Sequence, residues 1–321
     1  MKLLRWTVAA AFAMAAASAV AQGYPSKPVR MIVGFPPGGG TDVVARVISA
    51  KLQEWYGQAV LVENRPGATG TIGADAVAKS AADGYTLIMG HVNSHGIAPN
   101  LFAKLPYDAI KDFAAVAYVG YVPNVLAVHP SVQAKNVKEL IALAKAKPGA
   151  MNYASSGNGS TQHLAGEMFK QLTGTSIVHV PYKGSGDAIK DLLAGTVNMN
   201  FDTMPPVLPH IQSGRLRGLA ISTPKRLAQL PDVPTFEGEG IRGFDVTNWY
   251  GVMAPASTPR EIVQKLNADI NKAMQAPDVR PRLEAVGTQL NEQSTAQFDA
   301  FMKAEVTKYA KLIKDANIKI E

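Results

Sequence analysis

The sequence predicts an α/β chain folded into two lobes joined by two crossing segments, and three observations carry that expectation. Short apolar runs rich in β-branched residues alternate with longer runs of helical spacing, the pattern of a mostly parallel sheet covered by helices. A strand, a glycine loop and a helix follow one another from Val29 to Gln58, and a related strand, small-residue loop and helix return from Met151 to Leu172. Val116 to Val128 and Phe244 to Met253 are apolar stretches placed where a chain would leave one lobe and come back to it.

Residues 1–21 stand outside this pattern. Lys2 and Arg5 precede the apolar run Trp6 to Ala17, and Ser18-Ala19-Val20-Ala21 offers small residues at both cleavage positions. That predicts a secretory signal peptide cut after Ala21. The chain has no cysteine, so neither a lipobox anchor nor a disulfide is expected, and a bacterial periplasm fits best. Past Ala21 no apolar run has the length of a membrane span. The roughly 300 residues that remain exceed what one compact core usually serves. Removing Lys2 and Arg5 lowers the formal net charge from +7 to +5. No dense basic cluster with interleaved aromatics occurs, which argues against nucleic acid as a partner. A modest positive field suits small acidic ligands.

In the first unit, Val29 to Phe35 reads as a buried strand and Gly38, Gly39 and Gly40 as a loop open to unusual backbone conformations. Thr41 or Asp42 is the expected N-cap, and Val43, Val44, Val47, Ile48, Leu52 and Trp55 recur at helical spacing. Such a loop either makes a tight turn or offers an anion its free N–H groups and the positive helix end. A second strand, Ala59 to Glu63, leads into the turn-rich Asn64 to Gly70, where Arg65 is either an anion ligand or a buried structural arginine. The third strand, Tyr85 to Gly90, precedes His91-Val92-Asn93-Ser94-His95-Gly96. Pro123-Asn124 divides Val116 to Val128 into strand, break, strand, and Val137 to Lys147 is a helix stopped by Pro148-Gly149.

The second half repeats the series. Met151 to Ala154 is a strand, Ser155 to Thr161 a small-residue loop, and Ser160 or Thr161 the N-cap of a helix carrying Leu164, Met168 and Phe169. Ile177 to Val180, Val197 to Phe201 and Leu216 to Ser222 are further strands, with a helix after the loop Pro181 to Asp187. The remainder is helical, with Ile262, Val263, Leu266, Ile270 and Met274 on one face and Phe298, Phe301, Met302, Val306, Tyr309 and Ile313 on another. The two crossings place lobe 1 at 22–123 plus 245–321 and lobe 2 at 124–244.

Catalytic signatures are missing. There is no G-x-S-x-G elbow, no H-E-x-x-H and no nucleotide-binding glycine motif, so no metal and no cofactor are expected. Ser94 beside His95 does not read as a nucleophile and base, because adjacent side chains on a regular element point apart. Anion-sized loops without machinery favour a binding protein. Two other classes stay open: an exported serine esterase or hydrolase using a loop serine such as Ser160, and a transferase-like enzyme whose glycine loop holds phosphate.

Several motifs taken together resemble one family. They are Phe35-Pro36-Pro37-Gly38-Gly39-Gly40-Thr41-Asp42, Glu63-Asn64-Arg65-Pro66-Gly67-Ala68, Asp83-Gly84-Tyr85-Thr86-Leu87, Gly159-Ser160-Thr161-Gln162-His163-Leu164 and Val180-Pro181-Tyr182-Lys183-Gly184. In order and spacing they are similar to the solute-binding proteins of tripartite tricarboxylate transporters, the TctC family that includes the Bug proteins. The resemblance implies a periplasmic-binding-protein fold of the type II, Venus-flytrap kind, closing on a small carboxylated solute for a membrane permease or signalling partner. It implies a carboxylate held by main-chain N–H groups and water, with no enzymatic activity, and a monomer is expected. The binding residues expected are Gly38, Gly39, Gly40 and Thr41 in lobe 1, and Ser155, Ser156, Gly157, Ser160 and Thr161 in lobe 2. Ser94 joins them from the third-strand loop, where relatives read Ser/Thr-His followed by Ala-Ile-Asn-Pro and this chain departs to Gly96-Ile97-Ala98-Pro99. Asp202 and Thr203 fall where relatives differ at the far end of the ligand. Asp202 would either favour a ligand bearing an amine, ring N–H or hydroxyl, or cap a helix ahead of Pro205-Pro206. Tyr24, Phe35 and Tyr250 are cleft walls or core residues.

Overall fold

The computed structural model describes residues 23–244, 246–315 and 318. The expected signal peptide lies outside the described residues. The strands are β1 (Val29–Val33), β2 (Val60–Asn64), β3 (Thr86–His91), β4 (Phe113–Val128), β5 (Asn152–Ser155), β6 (Val178–Pro181), β7 (Met199–Thr203), β8 (Arg217–Ile221), β9 (Thr247–Pro255) and β10 (Gln289–Leu290). Helices of eight residues or more are α1 (Gly40–Tyr56), α2 (Thr71–Ala78), α3 (Val137–Ala146), α4 (Thr161–Thr173), α5 (Ser185–Leu193), α6 (Met204–Gln212), α7 (Arg260–Gln275) and α8 (Thr295–Asp315).

One sheet topology is built twice. The first lobe runs β2-β1-β3-β9-β4 and the second β6-β5-β7-β4-β8. In each, three parallel strands are followed by an antiparallel strand that has crossed from the other lobe, and then by a fourth. β4 belongs to both sheets. The strand, break, strand expected at Pro123-Asn124 is instead one unbroken strand of 16 residues. Pro123 is the last β4 residue paired with β9, opposite Thr247, and Asn124 is the first paired with β7, opposite Thr203. The missing proline N–H therefore falls where one ladder ends and another begins, a position that tolerates it.

An apolar core runs through the crossing. One cluster extends from Val33 and Ile48 through Val122 and Val125 on β4 to Leu192 and Val207. The inward face read for α7 is buried at Ile262, Val263, Leu266, Ile270 and Met274, and α8 buries Phe298, Met302, Tyr309 and Ile313. Trp55 departs from its expected place on the inner face of α1, being 36% exposed. Its ring lies under the ammonium groups of Lys51 and Lys272, 5.5 and 5.0 Å from the centroid, an arrangement that stabilises an aromatic at the surface. Among the described residues no helix is long and apolar enough to cross a membrane.

A buried polar chain bridges the crossings. Asn124 Nδ2 donates to Val246 O at 3.3 Å, Asn248 Nδ2 to Asn124 Oδ1 at 2.6 Å, and Thr161 Oγ1 to Asn248 Oδ1 at 2.5 Å. The Thr161 N–H donates to Asn93 Oδ1 at 3.0 Å, so a lobe 1 side chain closes onto the start of a lobe 2 helix. All three of Asn124, Thr161 and Asn248 are fully buried. Asn248→Ala would leave two of these partners unpaired, so denaturant unfolding should show a loss of about 1–3 kcal/mol. A loss under about 0.5 kcal/mol, the range of an ordinary surface substitution, would remove the chain from any structural role.

Candidate ligand-binding cleft

The loops after β1, β3, β6 and β7 meet around a cavity of about 400 Å³ between the lobes. Lobe 1 contributes Phe35 to Thr41, His91 and Asn93; lobe 2 contributes Ser156, Gln162, Lys183 to Asp187, Lys190, Thr203 and Pro206; Asn248 and Tyr250 come from β9. The lobes approach closely at its edges. A Cβ on Gly184 would stand 3.1 Å from Pro36 Cγ, and one on Gly40 would stand 2.6 Å from Tyr250 Oη and 3.5 Å from Pro205 Cγ. At Gly40 the tight contact is with Tyr250 of its own lobe, and the Pro36–Gly184 approach is the tighter one made across the gap.

The start of α1 is open. Its N-cap is Gly39, not the expected Thr41 or Asp42, and no side chain caps it. Asp42, buried in the first turn of α1 and outside the cavity wall, is already occupied. Its carboxylate accepts from Gly38 N at 2.9 Å, Asn64 Nδ2 at 2.8 Å and Arg46 Nε at 2.9 Å. Burial would raise its pKa, but Arg46, the Gly38 N–H and Asn64 outweigh this and hold it below the usual carboxylate range. The first-turn amides of α1 thus retain unspent donor capacity, and Gly38, Gly39, Gly40 and Thr41 border the cavity.

In lobe 2 the open helix end is not the one expected. α4 is closed at its start, because Ser160 Oγ accepts from His163 N at 3.2 Å and Asn93 takes the Thr161 N–H. Ser160 and Thr161 are fully buried and do not border the cavity. α5 does. Its N-cap is Gly184, no side chain caps it, and Gly184, Ser185 and Gly186 line the wall opposite α1. Of the small-residue loop only Ser156 reaches this cavity, while Gly157 lines a neighbouring one. Ser155 is buried with its Oγ 2.6 Å from His179 Nε2.

Asp202 stands behind the wall. Fully buried, it accepts from Gln162 Nε2 at 3.0 Å, Ser185 Oγ at 3.0 Å, Thr203 N at 2.7 Å and Asn200 Nδ2 at 3.0 Å. Burial raises its pKa against the pull of the Gln162, Ser185 and Thr203 bonds. Thr203, not Asp202, is the N-cap of α6. Gln162, Ser185 and Thr203 all border the cavity, so one hidden carboxylate sets the orientation of three wall residues.

Ser94 is buried, outside the cavity wall, and its Oγ lies 2.9 Å from His95 Nδ1. The two side chains meet because Asn93–Ile97 is a π-helical turn, to which the pointing rule of regular elements does not apply. Tyr24 is core, donating to Gly84 O at 2.5 Å. Arg65 is half-exposed, 3.7 Å from Glu63, and lines neither the cleft nor a buried loop. Phe35 and Tyr250 are cleft walls, flanking His91 with ring centroids 5.1 and 5.3 Å away. No group of three or more metal-ligand side chains occurs among the described residues.

Two α/β lobes, two crossing strands and a cleft between them define a periplasmic-type binding protein. The sequence matches the Tripartite tricarboxylate transporter family receptor, TctC, over residues 44–318, and the chain belongs to that family. It is 41% identical over 307 residues to BugT of Bordetella pertussis, covering 95% of this chain and 94% of that protein. Rpa4515 of R. palustris, solved with adipate, is 36% identical with a TM-score of 0.89, covering 92% of this chain and 99% of that one. MatC (Rpa3494) from Rhodopseudomonas palustris, solved with malate, is 33% identical with a TM-score of 0.85, covering 90% and 100%. The family is one of receptors, not enzymes, and nothing in these relatives supports a serine esterase.

The histidines near the cleft set a pH dependence. Burial, with the nearby His95 adding to it, lowers His91 to about 3. Burial lowers His95 to about 3, and burial followed by the stacked His163 lowers His179 to about 4. All three stay neutral in the fold, whereas the unfolded imidazoles take up protons near pH 6.5. Between about pH 6.5 and 4 the unfolded chain therefore binds more protons, and stability rises with pH. The contribution is fully present above about pH 6.5 and is lost as pH falls through that window; Asp202, raised by burial, has the opposite sign. The melting temperature should drop by at least about 5 °C from pH 7 to pH 4.5. An equal or higher value at pH 4.5 would contradict the buried neutral imidazoles.

Proposed function

We propose that this chain is an extracytoplasmic receptor that closes two lobes on a small organic carboxylate and presents it to a tripartite-type membrane permease. The observation that carries this reading is the pair of uncapped helix starts, α1 and α5, bordering one cavity from opposite lobes. Each supplies N–H donors at the positive end of a helix dipole. Charge-assisted bonds of this kind contribute about 1.5–3 kcal/mol apiece, enough in combination to favour the closed form. Among the described residues no arginine borders the cavity, so main-chain N–H groups and Lys183 supply the recognition. Relatives solved with adipate and malate support a carboxylate as the ligand group.

The signal-peptide pattern at residues 1–21 and the family together support a periplasmic location. The lobes are 22–123 plus 245–321 and 124–244, and they hinge where β4 and β9 pass between them. Gly38 to Thr41, Ser156, Gln162, Gly184 to Gly186 and Thr203 are the ligand-facing set, with Asp202 holding Gln162, Ser185 and Thr203 in place. The protein works as a monomer.

Calorimetry of the mature chain against mono- and dicarboxylates, amino acids and aromatic acids tests the reading. At least one carboxylate should bind and raise the melting temperature; if none does, the receptor reading fails. Gly184→Ala should weaken that ligand about tenfold, because the added methyl would stand 3.1 Å from Pro36 Cγ of the opposite lobe and hold the lobes apart. Unchanged affinity would mean that the ligand does not require this closure.

A further inference from the structure

A second chamber of about 540 Å³ adjoins the first and shares Phe35, Pro36, Ser156 and Lys183 with it. Its character differs. The rings of Phe35, Phe102 and Tyr182, with Pro36 and Pro66, form much of its surface. Its polar side chains are largely spent elsewhere: Tyr182 Oη donates to Asp191 at 2.6 Å, Thr69 Oγ1 to Ala68 O at 2.7 Å, and Ser156 Oγ to Gln162 Oε1 at 2.8 Å.

The floor of this chamber is shaped by backbone rather than side chains. Gly67, Ala68, Thr69 and Gly70 have successive φ values of 134°, 43°, 54° and 94°. Two of these residues carry a Cβ in the left-handed region, a conformation that costs energy and persists only where the surroundings impose it. The turn brings Gly70 against the Phe35 ring, where a Cβ would stand 3.0 Å from Cζ, and against Gly34, whose own Cβ would meet Gly70 O at 2.7 Å. Gly34, Gly67 and Gly70 leave the floor without protruding groups beside the Phe35 ring.

Charge is confined to the junction. Lys183 is the one charged residue lining the second chamber, and it has no ion pair or hydrogen bond among the described residues. In the first chamber Lys190 and Asp187 neutralise each other at 2.9 Å. One unneutralised cation therefore stands between the open helix ends and an apolar space. A second carboxylate extending into that space would have to share Lys183 with the first. Among the described residues no other charged side chain lines the chamber, and an unpaired charge in an apolar site is costly.

We infer that the ligand is a monocarboxylic acid with an aromatic or similarly bulky apolar body. Its carboxylate lies between the starts of α1 and α5 beside Lys183, and its body fills the chamber of Phe35, Phe102 and Tyr182. This inference rests on the receptor reading and narrows its ligand class.

Calorimetry of the mature chain with benzoate, phenylacetate and 3-phenylpropionate, against succinate, malate and adipate, tests it. At least one aryl acid should bind tenfold or more tightly than every diacid. Phe102→Ala should weaken that aryl acid about tenfold and change diacid affinity less than twofold, and Lys183→Gln should weaken both classes. A diacid binding tightest, or Phe102→Ala weakening both classes alike, overturns the inference while leaving the receptor reading intact. Binding of no carboxylate at all overturns both. The wild-type ligand series decides the question even if Phe102→Ala fails to fold.

Discussion

The cleft depends on one strand that belongs to two sheets. β4 exchanges β9 for β7 as its neighbour between Pro123 and Asn124, and β9 returns alongside it into the first lobe. This arrangement aims the carboxyl ends of both parallel trios at the same gap, where ligands of open α/β sheets bind. The lobes are also tied by buried polar groups. Asn124, Asn248, Thr161 and Asn93 form a chain of donors and acceptors from the hinge to the start of α4. A hinge built in this way restricts the approach of the lobes to a few geometries.

Within that frame, helix capping decides which loops can bind an anion. A helix start whose N–H groups are already satisfied has little to offer a ligand. Ser160 and Asn93 satisfy α4, while the glycines ahead of α1 and α5 bring no capping side chain. Two buried acids nearby stand outside the cavity wall. Asp42 is held by Arg46 and Asn64, and Asp202 by Gln162, Ser185, Thr203 and Asn200. Two acids that would repel a carboxylate are thereby converted into anchors for groups that do not. The wall keeps a positive character from main-chain N–H groups and Lys183 without an arginine.

Much of the fold was legible because local patterns were consistent with it. The strands and the inward faces of α1, α7 and α8 follow from apolar period and β-branching, and Ser160 caps α4 as its side chain suggests. What escaped was non-local. Pro123 looks like a break unless the strand is known to change neighbours there. Trp55 looks inward unless Lys51 and Lys272 are known to cover it. In the site, the small-residue loop at Ser155 to Thr161 drew attention by composition, although a serine at the N-cap position is itself a sign of a helix start already satisfied. Gly184-Ser185-Gly186 carried the better signal: a helix start with glycine where a capping side chain would stand. Ser94 and His95 could not be paired in advance because nothing local announces a π-helical turn.

The central claim is that a carboxylate sits between the starts of α1 and α5. The most direct test is a ¹⁵N-resolved amide titration of the mature chain with the tightest-binding carboxylate. Amide resonances of Gly39, Gly40, Thr41, Ser185 and Gly186 should move downfield together at saturation, as those N–H groups gain a charged acceptor. If they stay in place while Ser160, Thr161 or residues around His95 move instead, the carboxylate is bound elsewhere and the account is wrong.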